Sequence, residues 1–213
     1  MKIGVLGSGE VGQTLAAGFA KHGHEVMIGT SSPEKLADWR AQNTGVQVGS
    51  FAQTATFGHV VVLAVKGSAA SDALRSAGAA NLGAKPVIDA TNPISDAPPV
   101  NGVLRFYTSL DESQMERLQR EFPEAKFVKA FNCVGKDYMI DPDFPSGPPT
   151  MFICGNDAAA KATVTGILTN LGWDTADMGA VEAARAIEPL CMLWCLPGFT
   201  QGQWSHAFKM LRK

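Results

Sequence analysis

The sequence has no large excess of charge of either sign. Its 18 lysines and arginines stand against 20 aspartates and glutamates, for a formal net charge of -2. A basic surface of the kind that binds nucleic acid or anionic membranes is therefore not expected. An uncharged stretch near the end, Pro189 to Trp204, is interrupted by two prolines and two glycines, so we expect no membrane span. Small molecules are the expected partners.

Targeting and metal-binding signals are also missing. A strand-like run, Ile3 to Leu6, begins almost at Met1 with no basic leader before it, from which we expect a cytoplasmic protein. The four cysteines, Cys133, Cys154, Cys191 and Cys195, form no C-x-x-C pair. They indicate reduced structural thiols and no metal site.

The chain instead alternates apolar runs with helical patterns. Apolar runs bounded by Gly, Pro or Asn predict six strands, at Lys2–Leu6, Glu25–Ile28, Val46–Val48, Val60–Val65, Pro86–Ala90 and Lys126–Ala130. Helical periodicity predicts crossover helices at Val11–Ala20, Pro33–Gln42, Ser68–Ala77 and Glu112–Phe122. This alternation is typical of β-α-β units, so we predict an α/β fold with a Rossmann-type, doubly wound parallel sheet.

A proline-rich stretch, Asp141 to Pro149, predicts a boundary between residues 1–140, the Rossmann domain, and residues 150–213. The second part is predicted to be a small C-terminal α/β lobe on the substrate and dimer side. It is too small to be stable alone, so we expect it to pack on the first domain. Its predicted elements are a strand at Met151–Cys154, a helix at Ala158–Leu171, a strand at Trp173–Ala176 and an apolar helix from Val181 to about Leu196.

A G-x-G-x-x-G motif lies between the first predicted strand and the first predicted helix. It reads Gly7-Ser8-Gly9-Glu10-Val11-Gly12. Gly7 permits a tight turn, Gly9 lets the backbone approach a pyrophosphate, and Gly12 lets the helix pack on the strand. The motif in this context predicts a dinucleotide whose pyrophosphate lies at the helix N-terminus.

The segment after the second strand predicts which dinucleotide is bound. An acidic residue there would bind the ribose hydroxyls of NAD, but none is present. The segment runs Gly29-Thr30-Ser31-Ser32-Pro33-Glu34-Lys35 and offers hydroxyls, a helix N-terminus and one cation to a 2′-phosphate. NADP(H) is therefore favoured over NAD(H). Ser32 and Pro33 also have a purely structural interpretation, as an N-cap and first helical residue.

Candidate reactive-site residues follow three other strands, because a doubly wound sheet binds its ligands at the carboxyl ends of its strands. Thr91, Asn92 and Asn132 supply neutral hydrogen-bonding groups that could orient a carboxamide or polarise a ring carbonyl, and we take them as catalytic candidates. Each could equally be a turn or cap residue. The other candidate cofactor contacts at these ends are Ala64, Val65, Lys66 and Pro93.

No histidine lies at a predicted strand end, and no acid–base pair is evident. Reduction of a carbonyl or imine usually needs a positioned proton donor, whereas transfer between two ring cofactors can depend mainly on stacking the rings. The residues therefore favour a cofactor-to-cofactor reaction. Two alternatives remain open, namely an NADP(H)-dependent carbonyl or imine reductase and a dinucleotide-binding sensor without turnover.

Several segments together resemble one known family. They are Lys2 to Gly9, Gly29-Thr30, Pro33-Glu34-Lys35, Val61-Val62-Leu63-Ala64, Lys129-Ala130-Phe131-Asn132, Ala184 to Leu190 and His206-Ala207-Phe208-Lys209. The sequence is similar to the NADPH:deazaflavin (coenzyme F-420) oxidoreductases, including their bacterial relatives and the reductase domain of the STEAP metalloreductases. The likeness covers nearly the whole chain.

The resemblance implies a small Rossmann protein, usually a homodimer, that binds NADP(H). It implies hydride exchange with a deazaflavin, or with a flavin such as FMN or FAD, stacked on the nicotinamide. It assigns the pyrophosphate loop to Ser8, Gly9, Glu10 and Val11. It assigns contacts to the 2′-phosphate to Thr30, Ser31 and Lys35.

Overall fold

A computed structural model describes all residues, 1–213. Its main feature is a six-stranded parallel sheet with the strand order β3-β2-β1-β4-β5-β6, which is the order of the Rossmann fold. The predicted fold class is confirmed. The strands of this sheet are β1 (Lys2–Leu6), β2 (Glu25–Gly29), β3 (Val46–Gly49), β4 (Val60–Leu63), β5 (Pro86–Asp89) and β6 (Lys126–Lys129).

Helices cover both faces of the sheet, and short 3-10 turns at Pro33–Leu36, Gly67–Ala69, Lys136–Tyr138 and Val181–Ala183 join them to other elements. The α-helices are α1 (Glu10–Lys21), α2 (Ala37–Gln42), α3 (Phe51–Phe57), α4 (Ala70–Ala77), α5 (Ala79–Leu82), α6 (Gln114–Glu121), α7 (Ala158–Asn170), α8 (Ala184–Ile187) and α9 (Leu190–Gln201). A separate two-stranded parallel sheet pairs β7 (Thr150–Ile153) with β8 (Asp174–Asp177).

The central strands are apolar without interruption because both of their faces are buried. Ile3 and Val5 of β1 belong to one core cluster with Phe19 of α1. Leu6 of β1 and Leu63 of β4 belong to a second cluster on the opposite face. A parallel sheet covered on both faces therefore explains why these strands appear in the sequence as apolar runs and not as alternating patterns.

Helix α3 was not among the predicted helices. It has seven residues and only two buried ones, Thr54 and Ala55, so its apolar periodicity is weak. Its sequence signal is a capping box, in which the Ser50 hydroxyl accepts from Gln53 N while Gln53 Oε1 accepts from Ser50 N. Gly4 and Gly29 leave room for this helix, because a Cβ on either would lie within 3.0 Å of Thr54.

The C-terminal segment shares its core with the large sheet. Met151 of β7 and Leu168 of α7 lie in the same buried cluster as Val128 of β6. Lys129 N donates to Cys154 O at 3.0 Å, which joins the end of β6 to the end of β7. Helix α7 therefore covers the part of the sheet formed by β5 and β6.

The single apolar helix predicted from Val181 to about Leu196 is wrong in two respects. Residues 181–187 form a 3-10 turn and the short helix α8, and a turn at Glu188–Pro189 separates them from α9. Helix α9 then continues to Gln201, where Gly202 ends it with a left-handed φ of 69°. Glu188 and Pro189 keep right-handed helical φ and ψ values, and the Glu188 side chain lies in the protein interior.

Three charged side chains from distant parts of the chain meet in that interior. The Lys129 ammonium contacts Asp89 Oδ2 at 2.7 Å and Glu188 Oε1 at 3.0 Å, and it donates to Thr91 O at 2.9 Å. All three charged residues are at most 1% exposed. Burial alone would lower the pKa of Lys129, but the Asp89 and Glu188 carboxylates more than offset this, and they hold that pKa above its usual range.

The second carboxylate of this cluster is stabilised by the start of α6. Glu188 Oε2 accepts from Gln114 N and Glu188 Oε1 accepts from Met115 N, each at 3.0 Å. A carboxylate at a helix N-terminus interacts favourably with the helix dipole. The charged cluster therefore joins β5 and β6 to α6 and to the turn between α8 and α9.

We predict that Lys129→Met lowers the free energy of unfolding by about 3–5 kcal/mol, because two buried carboxylates lose their common counter-ion. Urea denaturation measures the effect. Adding Glu188→Gln should restore part of the loss. Lys136→Met, which removes a surface ion pair with Asp137, is the control and should barely shift the urea midpoint. A Lys129→Met midpoint equal to that of the control would contradict the assignment.

Candidate active site

The three glycines of the G-x-G-x-x-G motif have different structural requirements. Gly7 has a φ of +121°, and a Cβ on it would lie 2.3 Å from Ala64 O. A Cβ on Gly12 would lie 2.0 Å from Gly7 O. Gly9 instead precedes α1 with an ordinary φ of -73°, and a Cβ there would meet nothing within 4 Å. The fold requires Gly7 and Gly12, whereas Gly9 only keeps a space open.

That open space belongs to a cleft of about 330 Å³, lined by Gly9, Glu10, Val11, Ala64, Val65, Lys66 and Ala90. The cleft lies at the start of α1, where the first backbone N–H groups of a helix have no intrahelical acceptor. No side chain caps this end of α1. The Gln13 amide donates to Ser8 O at 2.8 Å and fixes the loop. The arrangement suits an anionic group such as a pyrophosphate.

Thr30 connects the glycine loop to the segment after β2. Its hydroxyl lies 2.8 Å from the Ser8 hydroxyl and accepts from Ser32 N at 3.0 Å. Ser31 and Lys35 are exposed beside it. The expected helix N-terminus is only a four-residue 3-10 turn, and the Ser32 side chain makes no capping hydrogen bond there. That part of the argument for a 2′-phosphate site therefore loses its support, while the hydroxyls and the cation remain.

Asn92 and Asn132 come together from different strand ends. The Asn92 amide donates to Asn132 O at 2.8 Å, and the Asn132 amide donates to Ile187 O at 2.9 Å and to Asn92 Oδ1 at 3.3 Å. Asn132 is 3% exposed, yet its Oδ1 atom has no hydrogen-bond partner. Buried acceptors without a partner are rare, and this one can receive a ligand's donor only if neighbouring groups move to admit it.

The residue before Asn132 has an unusual backbone conformation. Phe131 is buried with a φ of +62°, a left-handed conformation that bulky residues seldom adopt. Such strain is of the order of 1–3 kcal/mol and persists only where the surrounding structure imposes it. Here it turns the chain directly after β6 and thereby sets the position of Asn132.

The remaining predicted contacts differ in their surroundings. Thr91 is buried, and its hydroxyl donates to Asp89 Oδ1 at 2.6 Å. Lys66 is exposed and forms an ion pair with Asp96. Pro93 is buried, and its carbonyl accepts from Tyr107 N at 3.0 Å. This hydrogen bond and the bridge between Ile94 and Phe106 place the segment that carries Tyr107 beside the residues that follow β5.

Sequence reasoning missed Tyr107, Gln114, Asp89, Lys129 and Glu188. The Tyr107 hydroxyl donates to Gln114 Oε1, and Gln114 Nε2 donates to the Thr91 hydroxyl. No acid–base pair was evident in the sequence, but the structure brings the Tyr107 hydroxyl close to the strand ends. Single charges at the last positions of two buried strands, Asp89 and Lys129, were the available signal. Tyr107 follows a long irregular segment and gave none.

The fold and the cleft are those of a Rossmann-type dinucleotide-binding protein, and the comparisons identify an oxidoreductase family that uses NADP(H). Residues 2–93 match the family model described as NADP oxidoreductase, coenzyme F420-dependent. A structure from Arthrobacter sp. FB24, proposed to be an F420-dependent NADP reductase, is 38% identical with a TM-score of 0.93, and the match covers 100% of both chains. A hypothetical protein of Sinorhizobium meliloti is 25% identical with a TM-score of 0.75, over 88% of this chain and 89% of that one.

A curated relative, metalloreductase STEAP3 of Rattus norvegicus, is 28% identical over 92% of this chain, which spans only 38% of that protein. An imine reductase of Streptomyces aurantiacus shares the fold, with a TM-score of 0.70 at 16% identity over 93% of this chain and 63% of that one. The chain belongs to the family of coenzyme F420-dependent NADP oxidoreductases. No helix of the structure is long and apolar enough to span a membrane.

The glycine loop yields a direct test. Gly9→Ala is expected to leave the urea midpoint nearly unchanged, because the new methyl group contacts no protein atom. It should weaken NADPH binding at least tenfold in a calorimetric titration, since the methyl group occupies the space of the pyrophosphate. Gly12→Ala is the matched control and should lower stability through its contact with Gly7 O. Unchanged NADPH affinity in Gly9→Ala would refute this assignment of the loop.

Proposed function

We propose that the protein transfers a hydride between NADP(H) and a flat ring acceptor, either a deazaflavin such as coenzyme F-420 or a flavin such as FMN or FAD. The observation that carries the proposal is the unpartnered Asn132 Oδ1 at the carboxyl edge of the sheet that also bears the glycine loop. NADP(H) supplies or accepts the hydride when it is bound. The chain's own residues bind, orient and enclose the reacting groups.

Three parts of the site support NADP(H) binding: the glycine loop, the segment after β2 and Asn132. Gly9 leaves the space that a pyrophosphate needs, and the start of α1 provides N–H donors. Ser31 and Lys35, exposed beside Thr30, are proposed to bind the 2′-phosphate. Asn132 Oδ1 is proposed to accept from the nicotinamide carboxamide, and Asn92 holds Asn132 in place. These contacts would fix which face of the nicotinamide is open.

A place for the acceptor ring is suggested by a second cavity near Glu188. It has a volume of about 320 Å³, within the range of small-molecule sites. Its walls mix apolar side chains, on which a ring can stack, with a few polar ones. The lining residues are Phe106, Thr108, Ser109, Leu110, Arg185, Glu188, Pro189 and Met192. Such a surface suits a large planar compound better than a small ketone.

One observation favours the alternative, reduction of a carbonyl or imine. Tyr107 carries a hydroxyl proton at the same edge, and a proton donor is what that chemistry requires, although Gln114 Oε1 accepts this proton in the structure. The two functions differ in what they reduce. Stopped-flow oxidation of NADPH with deazaflavin, FMN and FAD, compared with a panel of ketones and imines, separates them. Reduction of the panel alone would replace the proposed function by this alternative.

Direct hydride transfer has an isotopic signature. With stereospecifically deuterated NADPH, the label is expected at C5 of the deazaflavin, where a carbon-bound atom does not exchange with water. Asn132→Ala should lower turnover more than NADPH affinity, because its proposed task is to position the ring. Loss of the label to solvent would exclude direct transfer.

The preference for NADPH over NADH is tested separately. Lys35→Ala should weaken NADPH binding and leave NADH binding unchanged, with Lys213→Ala as the control.

We further propose that the protein is a homodimer. Leu193 and Phe199 of α9 are 53% and 47% exposed, and Gly102 of the neighbouring loop lies against Phe199. An apolar surface of this kind is usually covered by a partner. Sedimentation equilibrium at micromolar concentration should give twice the chain mass, and Leu193→Glu should give a monomer. Leu211→Glu, in the exposed tail, is the control. A monomeric starting protein would contradict the proposal.

A further inference from the structure

The direction of every hydrogen bond between the buried charges and Tyr107 follows from the donors and acceptors available. Asp89 is paired with the Lys129 ammonium and only accepts, so the Thr91 hydroxyl must give it its one proton. The Thr91 oxygen can then only accept. Gln114 must therefore turn its Nε2 group toward Thr91, which removes the usual ambiguity of a side-chain amide.

The hydrogen bond between Gln114 and Tyr107 also has only one possible direction. With Nε2 turned inward, Gln114 presents Oε1 to Tyr107, and the phenol must donate its only proton to that oxygen. Tyr107 is 39% exposed, and its oxygen, once it has donated its proton to Gln114, can only accept from any further group. Burial, and after it the Glu188 carboxylate, raises the pKa of Tyr107 to about 12, so the phenol keeps its proton at neutral pH.

We infer that Tyr107 is a specificity-determining residue whose oxygen accepts a hydrogen bond from a ring N–H of the second substrate. This rests on the proposed function, because flavins and deazaflavins carry an imide N–H in their pyrimidine ring. Gln114 and Thr91 are positioning residues that keep the Tyr107 proton directed inward. A substrate that offers only a carbonyl oxygen to Tyr107 would meet a lone pair and be disfavoured.

The inference is tested by binding, independently of turnover. The probes are lumiflavin, which has the ring N–H, and its N3-methyl derivative, which does not. Their dissociation constants are measured by quenching of flavin fluorescence in the presence of NADP+, where no reduction occurs. We expect the starting protein to bind lumiflavin about tenfold more tightly than the methylated probe, the effect of one good hydrogen bond.

Three variants identify the cause of that preference. Tyr107→Phe keeps the ring and should bind both probes equally. Tyr138→Phe alters the other tyrosine, whose ring lies 5.0 Å from that of Phe144, and should keep the tenfold ratio. Thr91→Val preserves shape but frees Gln114 to turn, so the ratio should fall although Tyr107 is intact.

The outcomes separate this inference from the proposed function. A tenfold ratio that persists in Tyr107→Phe would show that the methyl group is excluded by shape alone, and the inference would be wrong while flavin binding stands. A starting protein that binds both probes equally would also overturn it. A ratio unchanged in Thr91→Val would remove the positioning role of Thr91 and Gln114. Failure to bind either probe with NADP+ present would exclude a flavin as the acceptor and would exclude the Tyr107 contact for a flavin ring.

Discussion

The carboxyl edge of the sheet depends on one buried ammonium group. Lys129 has three N–H bonds, and the structure provides three acceptors for them, on Asp89, Thr91 and Glu188. Removing any of these acceptors would leave a buried donor unsatisfied, which is costly in a medium of low dielectric constant. Asp89 is the last residue of β5, Thr91 lies two residues beyond it, and Glu188 lies in the turn before α9. One buried charge therefore connects segments about 100 residues apart in sequence.

The proposed site is built outward from that cluster. Thr91 and Gln114 extend the hydrogen-bonded chain from Asp89 to Tyr107, and the strained Phe131 turns the chain after β6 toward Asn132. Buried charges, a left-handed aromatic residue and an acceptor without a partner each weaken a protein that only has to fold. Proteins tolerate such features mainly at functional sites, where they fix the geometry before the ligand binds. Their concentration at one edge of the sheet supports the location of the site there.

Local patterns were enough to predict the six strands and the glycine loop. Buried parallel strands and a strand-turn-helix motif are each encoded by consecutive residues, so both can be recognised without the tertiary structure. They were not enough for α3, whose seven residues bury too little to show a helical period. The break at Glu188–Pro189 was missed although Pro189 was a signal for it, because the apolar residues on either side were taken as one helix. Gln114 and Tyr107 could not be found, since their function depends on contacts with Thr91 that only the tertiary structure creates.

We propose that the unpartnered Asn132 oxygen receives a carboxamide N–H of NADP(H), which brings the nicotinamide to this edge of the sheet. The most direct measurement compares NADP+ with its 3-acetylpyridine analogue, in which a methyl group replaces the amide nitrogen, by calorimetric titration of the starting protein and of Asn132→Ala. We expect the starting protein to bind NADP+ about tenfold more tightly than the analogue and the variant to bind both equally. Equal binding by the starting protein, or an undiminished preference in the variant, would contradict it.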